Sequence, residues 1–527
     1  VPNNGYDRYN FTFRNTTSFL NDKLKLDVGA SYVMQKDRNM TNQGTYNNPL
    51  VGAYIFPRGN DWGDIEMYER YDPARRLYTQ YWPVGDAGMT MQNPYWINYR
   101  NLRENSKNRY MVGAQLSYKV LPCLTLSGRV RFDDSYTKAT DKRYAGTLGN
   151  LSDNSERGYY GETNYKEKQI FADFLASFNK DFSEDWNLQA NFGGSINDMR
   201  YESIDIRGGI PDGSENYPGQ DALLTNFFSI NNISRNAPKT WNMWREQTQS
   251  IYASVDLGYK RTYYLTLTGR NDWPSALAGV NSKKSSFFYP SVGISVLMTQ
   301  LFEDAGLNIP SEYLSFWKIR ASWASVGTAF PRYIANPRYE WVNGTWSVLT
   351  QYPVNNLLPE RTKSWEVGMN FRFLKDFNFD ATWYQADTYN QTFNPNVPVG
   401  KYSKIYVQTG KIRNWGMEFA LGFDHTWNNF SWASNMTYSF NKNVIKELGR
   451  NAYNPVTGEK LDIDQLVMTD NQVGATRFIL REGGTLGDFY SRIDLKRDSN
   501  GAVYINEKGE IAKEPVTDVA NYIKLGS

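Results

Sequence analysis

Hydrophobic and polar positions alternate with a period of two over long stretches of this chain, most clearly between Thr362 and Phe440. Trp365, Val367, Met369, Phe371 and Phe373 alternate with Glu366, Gly368, Asn370 and Arg372; after a turn at Lys375-Asp376, Phe377, Phe379, Ala381 and Trp383 alternate with Asn378, Asp380, Thr382 and Tyr384. A second hairpin repeats the scheme. Trp415, Met417, Phe419, Leu421 and Phe423 share one parity, residues 425–429 are the predicted turn, and Phe430, Trp432, Met436, Tyr438 and Phe440 return. Successive side chains of a strand point to opposite faces, so each segment has one apolar and one wet face.

The same grammar opens the chain. Tyr9, Phe11 and Phe13 lead to a turn at Asn21-Asp22-Lys23 and return as Leu24, Leu26, Val28, Ala30 and Tyr32. Further hairpins turn at Leu121-Pro122-Cys123, at residues 181–185 and at Lys260-Arg261-Thr262. Pro122 suits a turn because it has no N–H to give to a ladder. Strands are also predicted over residues 288–298 and 318–323, with a short helix and a Pro-containing turn between them. Residues 35–108, 199–246, 326–358 and 387–411 lack the period and read as large loops, as does the polar stretch up to Glu167. Beyond Asn441 the alternation fades. The expected organisation is therefore barrel hairpins with their loops over residues 1–441 and a long external loop region over 442–527.

Alternation alone fits a soluble sandwich as well as a membrane barrel. Strands of about ten residues, with Trp, Tyr or Phe near the ends of their apolar faces, match a tilted bilayer crossing with aromatic girdles. About fourteen strands joined alternately by tight turns and by loops of tens of residues match the short periplasmic turns and long extracellular loops of outer-membrane barrels. Structureless loops of that length count against a compact soluble domain. The expected fold is all-β, a transmembrane antiparallel β-barrel with long extracellular loops. Trp365, Val367, Met369, Phe371, Leu421 and Phe423 are the expected lipid-facing residues.

Composition removes several alternatives. The 527 residues are 16% aromatic, with a net charge of +3, and mean hydropathy is −0.63. No apolar run approaches the roughly 18 residues of a membrane helix, whereas a barrel strand needs only every second residue apolar. Charges of both signs are mixed, and no basic stripe with interleaved aromatics points to nucleic acid. The lone Cys123 excludes an intrachain disulfide framework and a cysteine-cluster metal site, and the lone His425 reads as a turn residue.

Candidate chemistry is sparse. Asp133-Asp134 point apart on a strand, so they cannot act as a catalytic pair; they and Glu184-Asp185 read as solvated charges. Asp462-Ile463-Asp464 lacks the glycine and distant glutamate of a calcium loop. No phosphate-binding glycine loop, nucleophile elbow or His-Glu-x-x-His motif is present. No enzyme, cofactor or metal is expected. Loop aromatics can stack on sugars or grip peptide side chains; Tyr339, Trp341 and Trp346 are the candidate substrate contacts, weighed against loop packing and partner contact.

Six stretches in order carry a resemblance. They are residues 5–10 (Gly-Tyr-Asp-Arg-Tyr-Asn), Gly269-Arg270-Asn271-Asp272 with Phe288-Tyr289-Pro290-Ser291-Val292, residues 314–323 ending Lys-Ile-Arg-Ala-Ser-Trp, Leu358-Pro359-Glu360-Arg361-Thr362 with Trp365-Glu366-Val367-Gly368, residues 410–418, and Gly484-Thr485-Leu486-Gly487-Asp488-Phe489-Tyr490. In these the chain resembles the SusC/RagA-type TonB-dependent outer-membrane transporters. It departs from them at Trp273-Pro274 and Gly327-Thr328, which concern loop detail. The resemblance implies a barrel of about 22 strands, an N-terminal plug, a SusD-like surface lipoprotein as lid, and import of oligosaccharides or peptides driven by TonB–ExbB–ExbD. It also implies a dimer of transporter–lipoprotein pairs. Plug and TonB-box are expected before Val1 and the last strands after Ser527. A passive porin-like channel and a cell-surface adhesin or lectin are the alternative functions.

Overall fold

The computed structural model describes residues 2–41, 47–85, 91–279, 282–334, 341–342, 345–346, 357–393, 406–453 and 458–527. Fourteen strands form one antiparallel meander in which each pairs with its neighbours in sequence. They are β1 (Gly5–Phe19), β2 (Leu24–Arg38), β3 (Asn101–Leu121), β4 (Leu124–Arg143), β5 (Tyr159–Asp181), β6 (Trp186–Gly209), β7 (Lys239–Tyr259), β8 (Tyr263–Pro274), β9 (Phe287–Leu297), β10 (Leu314–Thr328), β11 (Glu360–Phe373), β12 (Phe377–Phe393), β13 (Val407–Trp427) and β14 (Phe430–Glu447). β1 and β14 stand at the two edges and are not paired with each other. No described helix is long and apolar enough to cross a membrane.

Register joins the apolar parities into one band. Leu188, Leu257, Leu265, Ile294, Ala321, Val367, Trp383, Met417 and Phe440 are successive cross-strand partners from β6 to β14. The row nearer the turns runs Trp186, Tyr259, Tyr263, Val296, Ile319, Met369, Ala381, Phe419, Tyr438. A slip of one residue in any strand would move its whole set to the other face, so the band itself fixes the pairing. Many of its side chains remain exposed, Val112, Val130, Phe192, Ile294, Trp365 and Met436 among them. An apolar surface this extended is far beyond the few hundred Å² a soluble monomer leaves uncovered.

The strands outlast their alternating segments. Residues 199–209 and 239–246, read as loop from the sequence, continue β6 and β7 in unbroken register, from Met199↔Glu246 to Ile206↔Lys239. β4 and β5 likewise pair out to Arg143↔Tyr159. β10 is longer at both ends than residues 318–323, and β14 runs six residues past Asn441. Once a strand rises clear of an apolar environment both faces are wet, and the period-two signal vanishes while the ladder continues. One predicted turn shrinks: β13 includes His425, whose Nδ1 lies 2.8 Å from Asp376, and the chain reverses at Asn428-Asn429. Asn428 supplies the positive φ of 49° that this tight reversal requires, and asparagine tolerates it.

The described residues of the connections at the opposite end form small cores and helices. Leu277, Phe330, Ile334 and Leu357 form a small core with Phe287 and Tyr406. Tyr160, Ile210, Ile233 and Ala237 form another, joined by Leu223 and Phe228. Between β2 and β3, helices Pro49–Ile55 and Pro94–Arg100 each begin with proline behind an asparagine N-cap. Trp96 is fully buried there and donates to Thr147 Oγ1 at 3.1 Å.

The residues after β14 fold into small sheets, the largest from Gln465–Val473, Thr476–Arg481, Phe489–Ser491 and Ile523–Gly526. It is tied to the end of β14 by the Ile445 N–H to Gly484 carbonyl bond (2.9 Å) and the Gly483 N–H to Ile445 carbonyl bond (2.8 Å). Asp488 is almost wholly buried and accepts from Thr485 Oγ1 (2.5 Å) and Lys524 Nζ (2.7 Å). A Cβ on Gly484 would stand 2.8 Å from the same carboxylate, which explains the glycine in the 484–490 motif. Burial pushes the Asp488 pKa up, but the Lys524 and Thr485 bonds outweigh it and hold the pKa below the usual carboxylate range. A depressed folded-state pKa gives stability that is present above the unfolded value of about 4 and lost as pH falls through the folded one. Acidification below about pH 4 should therefore release this sheet, and Asp488→Asn should weaken it at neutral pH while flattening that acid dependence. Hydrogen exchange at Ile479 and Tyr490 measures both; an unchanged acid profile in the variant would remove Asp488 as the cause.

Candidate functional site: the charged face and its aromatic row

The face opposite the apolar band carries the charges, because each lies at the opposite parity of its strand. Arg14 reaches Asp27 at 2.8 Å, Arg109 pairs with Asp133, and Arg129 with Asp173. Arg270 holds Asp272 at 2.8 Å, and Tyr289 donates to the same carboxylate. Arg320 bonds Asn370 Oδ1 (2.7 Å) and Thr382 Oγ1 (2.6 Å) and lies 3.6 Å from Asp380. This face is hollow: a cavity of about 670 Å³ is lined by Arg14, Asp27, Arg129, Arg131, Asp133 and Gln169. The pairs are half-exposed, and such pairs contribute only about 0–1 kcal/mol each. Their effect is a wet, charge-balanced wall rather than a stabilising core. Asp133 and Asp134 do point apart: the first faces this wall, and the second lies on the other face, 4.0 Å from Lys166.

Towards the loop end the same wall turns aromatic. Tyr165 on β5, Tyr201 on β6 and Trp244 on β7 stand side by side. The Tyr165 and Tyr201 centroids are 6.4 Å apart, and Tyr201 stacks on Trp244 at 5.5 Å with 14° between the planes. The Arg332 guanidinium lies 3.7 Å above the Trp244 ring and bonds Glu246 Oε2 at 2.5 Å. Glu246 fixes the guanidinium, and the guanidinium holds the indole from one side. The row presents flat π-faces beside a cation and a carboxylate, a surface that suits sugar faces and peptide side chains alike.

Comparison with known proteins identifies the architecture. A family model described as TonB dependent receptor-like, beta-barrel, matches residues 61–518. The chain belongs to the TonB-dependent receptor β-barrel family. It is 23% identical over 502 residues to TonB-dependent receptor P26 of Formosa agariphila, covering 92% of this chain and 46% of that protein. To TonB-dependent receptor SusC of Bacteroides thetaiotaomicron it is 22% identical over 475 residues, covering 85% and 44%. The chain thus spans less than half the length of these relatives. Among solved structures, that of the RagAB peptide transporter superposes with a TM-score of 0.69 at 15% identity, covering 99% of this chain and 54% of that one. The RagAB peptide importer in its 'closed-closed' state gives 0.68 at the same identity and coverage. This TonB-dependent receptor barrel is a transmembrane β-barrel of the outer membrane, and its family consists of receptors and transporters, not enzymes.

The residues singled out from the sequence fall as follows. Trp365, Val367, Met369 and Phe371 on β11 and Leu421 and Phe423 on β13 share the apolar face, linked through Val367↔Trp383↔Met417 and Phe371↔Phe379↔Leu421. Trp341 and Trp346 are opposite each other in a two-residue ladder whose Val342 pairs with Thr240 at the outer start of β7. Trp346 is 65% exposed there. Tyr339 and the Trp341 side chain lie outside the described residues. The ladder meets β7 four residues beyond Trp244, roughly 13 Å along the strand, so the rim tryptophans and the aromatic row are separate places. Sequence reasoning missed the row. Its signal was present in the alternation of Tyr201 with Arg200 and Glu202 and of Trp244 with Met243 and Arg245, but only the β6–β7 register brings Tyr201 against Trp244.

Proposed function

We propose that the chain forms the wall and mouth of an active importer of bulky nutrients, oligosaccharides or peptides, powered by TonB–ExbB–ExbD and lidded by a SusD-like surface lipoprotein. The observation that carries this reading is the aromatic row set into a wet, charge-paired wall at the loop end of the barrel sheet. The relatives named SusC and RagAB support the lipoprotein lid and TonB coupling. Trp365, Val367, Met369, Phe371, Leu421 and Phe423 face lipid, Tyr165, Tyr201 and Trp244 contact the passing nutrient, and Tyr339, Trp341 and Trp346 meet nutrient or lid at the rim.

Uptake by the full-length protein tests the reading. Trp244→Ala should lower nutrient uptake about tenfold or more, the loss expected at a binding hot spot, with the lid still co-purifying. Trp346→Ala should have a smaller effect. Normal uptake by a Trp244→Ala/Tyr201→Ala variant would remove the row from the transport path. A protein that purifies without a lipoprotein under mild detergent would remove the lid.

A further inference from the structure

Just beyond the apolar band, on the same outward face, β11, β13 and β14 carry a cluster of cations. Trp365, Gln385, Trp415 and Lys442 form one cross-strand row; Lys363, Asp387, Arg413 and Val444 form the next towards the loops; Arg361, Tyr389, Lys411 and Glu447 form the one after. Five cations thus share this face with two carboxylates, Asp387 and Glu447, which leaves it net positive. Asp387 is already held by Arg413 at 2.6 and 2.8 Å. Lys363 and Lys411 converge on one ring, 5.5 and 5.1 Å from the centre of Tyr389. That convergence fixes them on one face, flanking an aromatic platform. The matching positions of β9 and β10 carry Phe288, Pro290, Ser325 and Gly327, so the charge is local and not a general property of strand ends.

Height decides what this cluster meets. The tryptophans end the apolar band, where a girdle meets the headgroups. Each two-residue step along a strand rises about 5 Å after a tilt of roughly 40°, so Lys363 and Arg361 stand about 5 and 10 Å above Trp365 on β11, and Arg413 and Lys411 the same above Trp415 on β13. The headgroup layer is some 5–7 Å thick on each side, and long lysine and arginine side chains snorkel within it. We propose that Arg361, Lys363, Lys411, Arg413 and Lys442 form a docking site for phosphorylated lipid headgroups of the outer leaflet, with Tyr389 beneath them. The inference rests on the reading of Trp365 and its band as lipid-facing. Net positive charge, a position in the headgroup layer and continuity with the lipid-covered band favour this occupant over an acidic patch of a protein partner.

The test uses the full-length protein in vesicles containing brominated lipid, which quenches tryptophans such as Trp365 and Trp415 on contact. Brominated phosphatidic acid should be preferred over brominated phosphatidylcholine by about threefold or more in the unaltered protein. Lys363→Gln/Lys411→Gln/Lys442→Gln should bring that ratio near one. The corresponding Lys→Arg variant should keep it, as should Lys318→Gln, which removes a cation from the opposite face. An undiminished ratio in the glutamine variant overturns the proposal. So does loss of the preference in the unaltered protein on adding about 10 mM inorganic phosphate, which would mark a free-anion site. So does a glutamine variant that keeps the ratio but loses its lipoprotein, which would mark a protein contact. If neither lipid quenches, the lipid-facing reading itself has failed, a result distinct from all of these.

Discussion

Met369→Arg should cost the assembled barrel about 2–4 kcal/mol, the penalty for arginine on the lipid face near the bilayer midplane. The register supplies the depth. Met369 lies four residues from Phe373 at the turn end of β11 and four from Trp365, and its partners Ile319 and Ala381 belong to the same apolar row. A guanidinium there has neither water nor a carboxylate within reach, since the nearest acids, Glu366 and Asp380, face the opposite side with Arg320. Leu421→Arg should cost about as much. Leu421 lies six residues from Trp415 and six from Trp427 on β13, so it too sits near the middle of its strand's apolar stretch. Reversible unfolding of the full-length protein in vesicles measures both. Negligible costs at both positions would mean that this face is not turned to lipid; a cost confined to one of the two would mean that the depth is wrong.

The same physics explains how far the sequence could be read. Within the band, an apolar environment on one side and water on the other force strict alternation, so β11 to β14 are legible residue by residue. Above the band the contrast disappears, and residues 199–209 and 239–246 look like loop although they form some of the longest ladder in the protein. The aromatic row lies there, which is why Tyr165, Tyr201 and Trp244 escaped notice while the aromatic-dense stretch around Trp341 and Trp346 drew attention. Composition reports how many rings a segment holds; only register reports which rings meet. His425 shows the converse error. A polar run beside asparagines resembles a turn, yet Asn428 alone supplies the left-handed residue, and His425 stays in the ladder opposite Trp432.

The second large effect is expected at Gly416, inside the 410–418 motif. Its cross-strand partners are Tyr384 and Asn441, and Asn441 Nδ2 donates to the Tyr384 hydroxyl at 2.9 Å across the glycine. The phenol reaches Asn441 because β13 has no side chain at this point. A Cβ on Gly416 would stand 2.6 Å from the Tyr384 oxygen and also collide with the Phe440 carbonyl. The first clash is relieved if the ring swings away; the second involves backbone and can be relieved only by moving β13 and β14 apart. Gly416→Val should therefore lose the Tyr384–Asn441 bond, about 1 kcal/mol, and add the roughly 1–3 kcal/mol typical of overpacking, a total of about 2–4 kcal/mol. The two contributions separate in a double variant. Tyr384→Leu in the Gly416→Val background should restore less than half of the lost stability, because the collision with Phe440 remains. Full restoration would place the strain in the ring alone. A Gly416→Val protein as stable as the unaltered one would show that β13 and β14 can part there without cost, and the glycine would then need a different explanation.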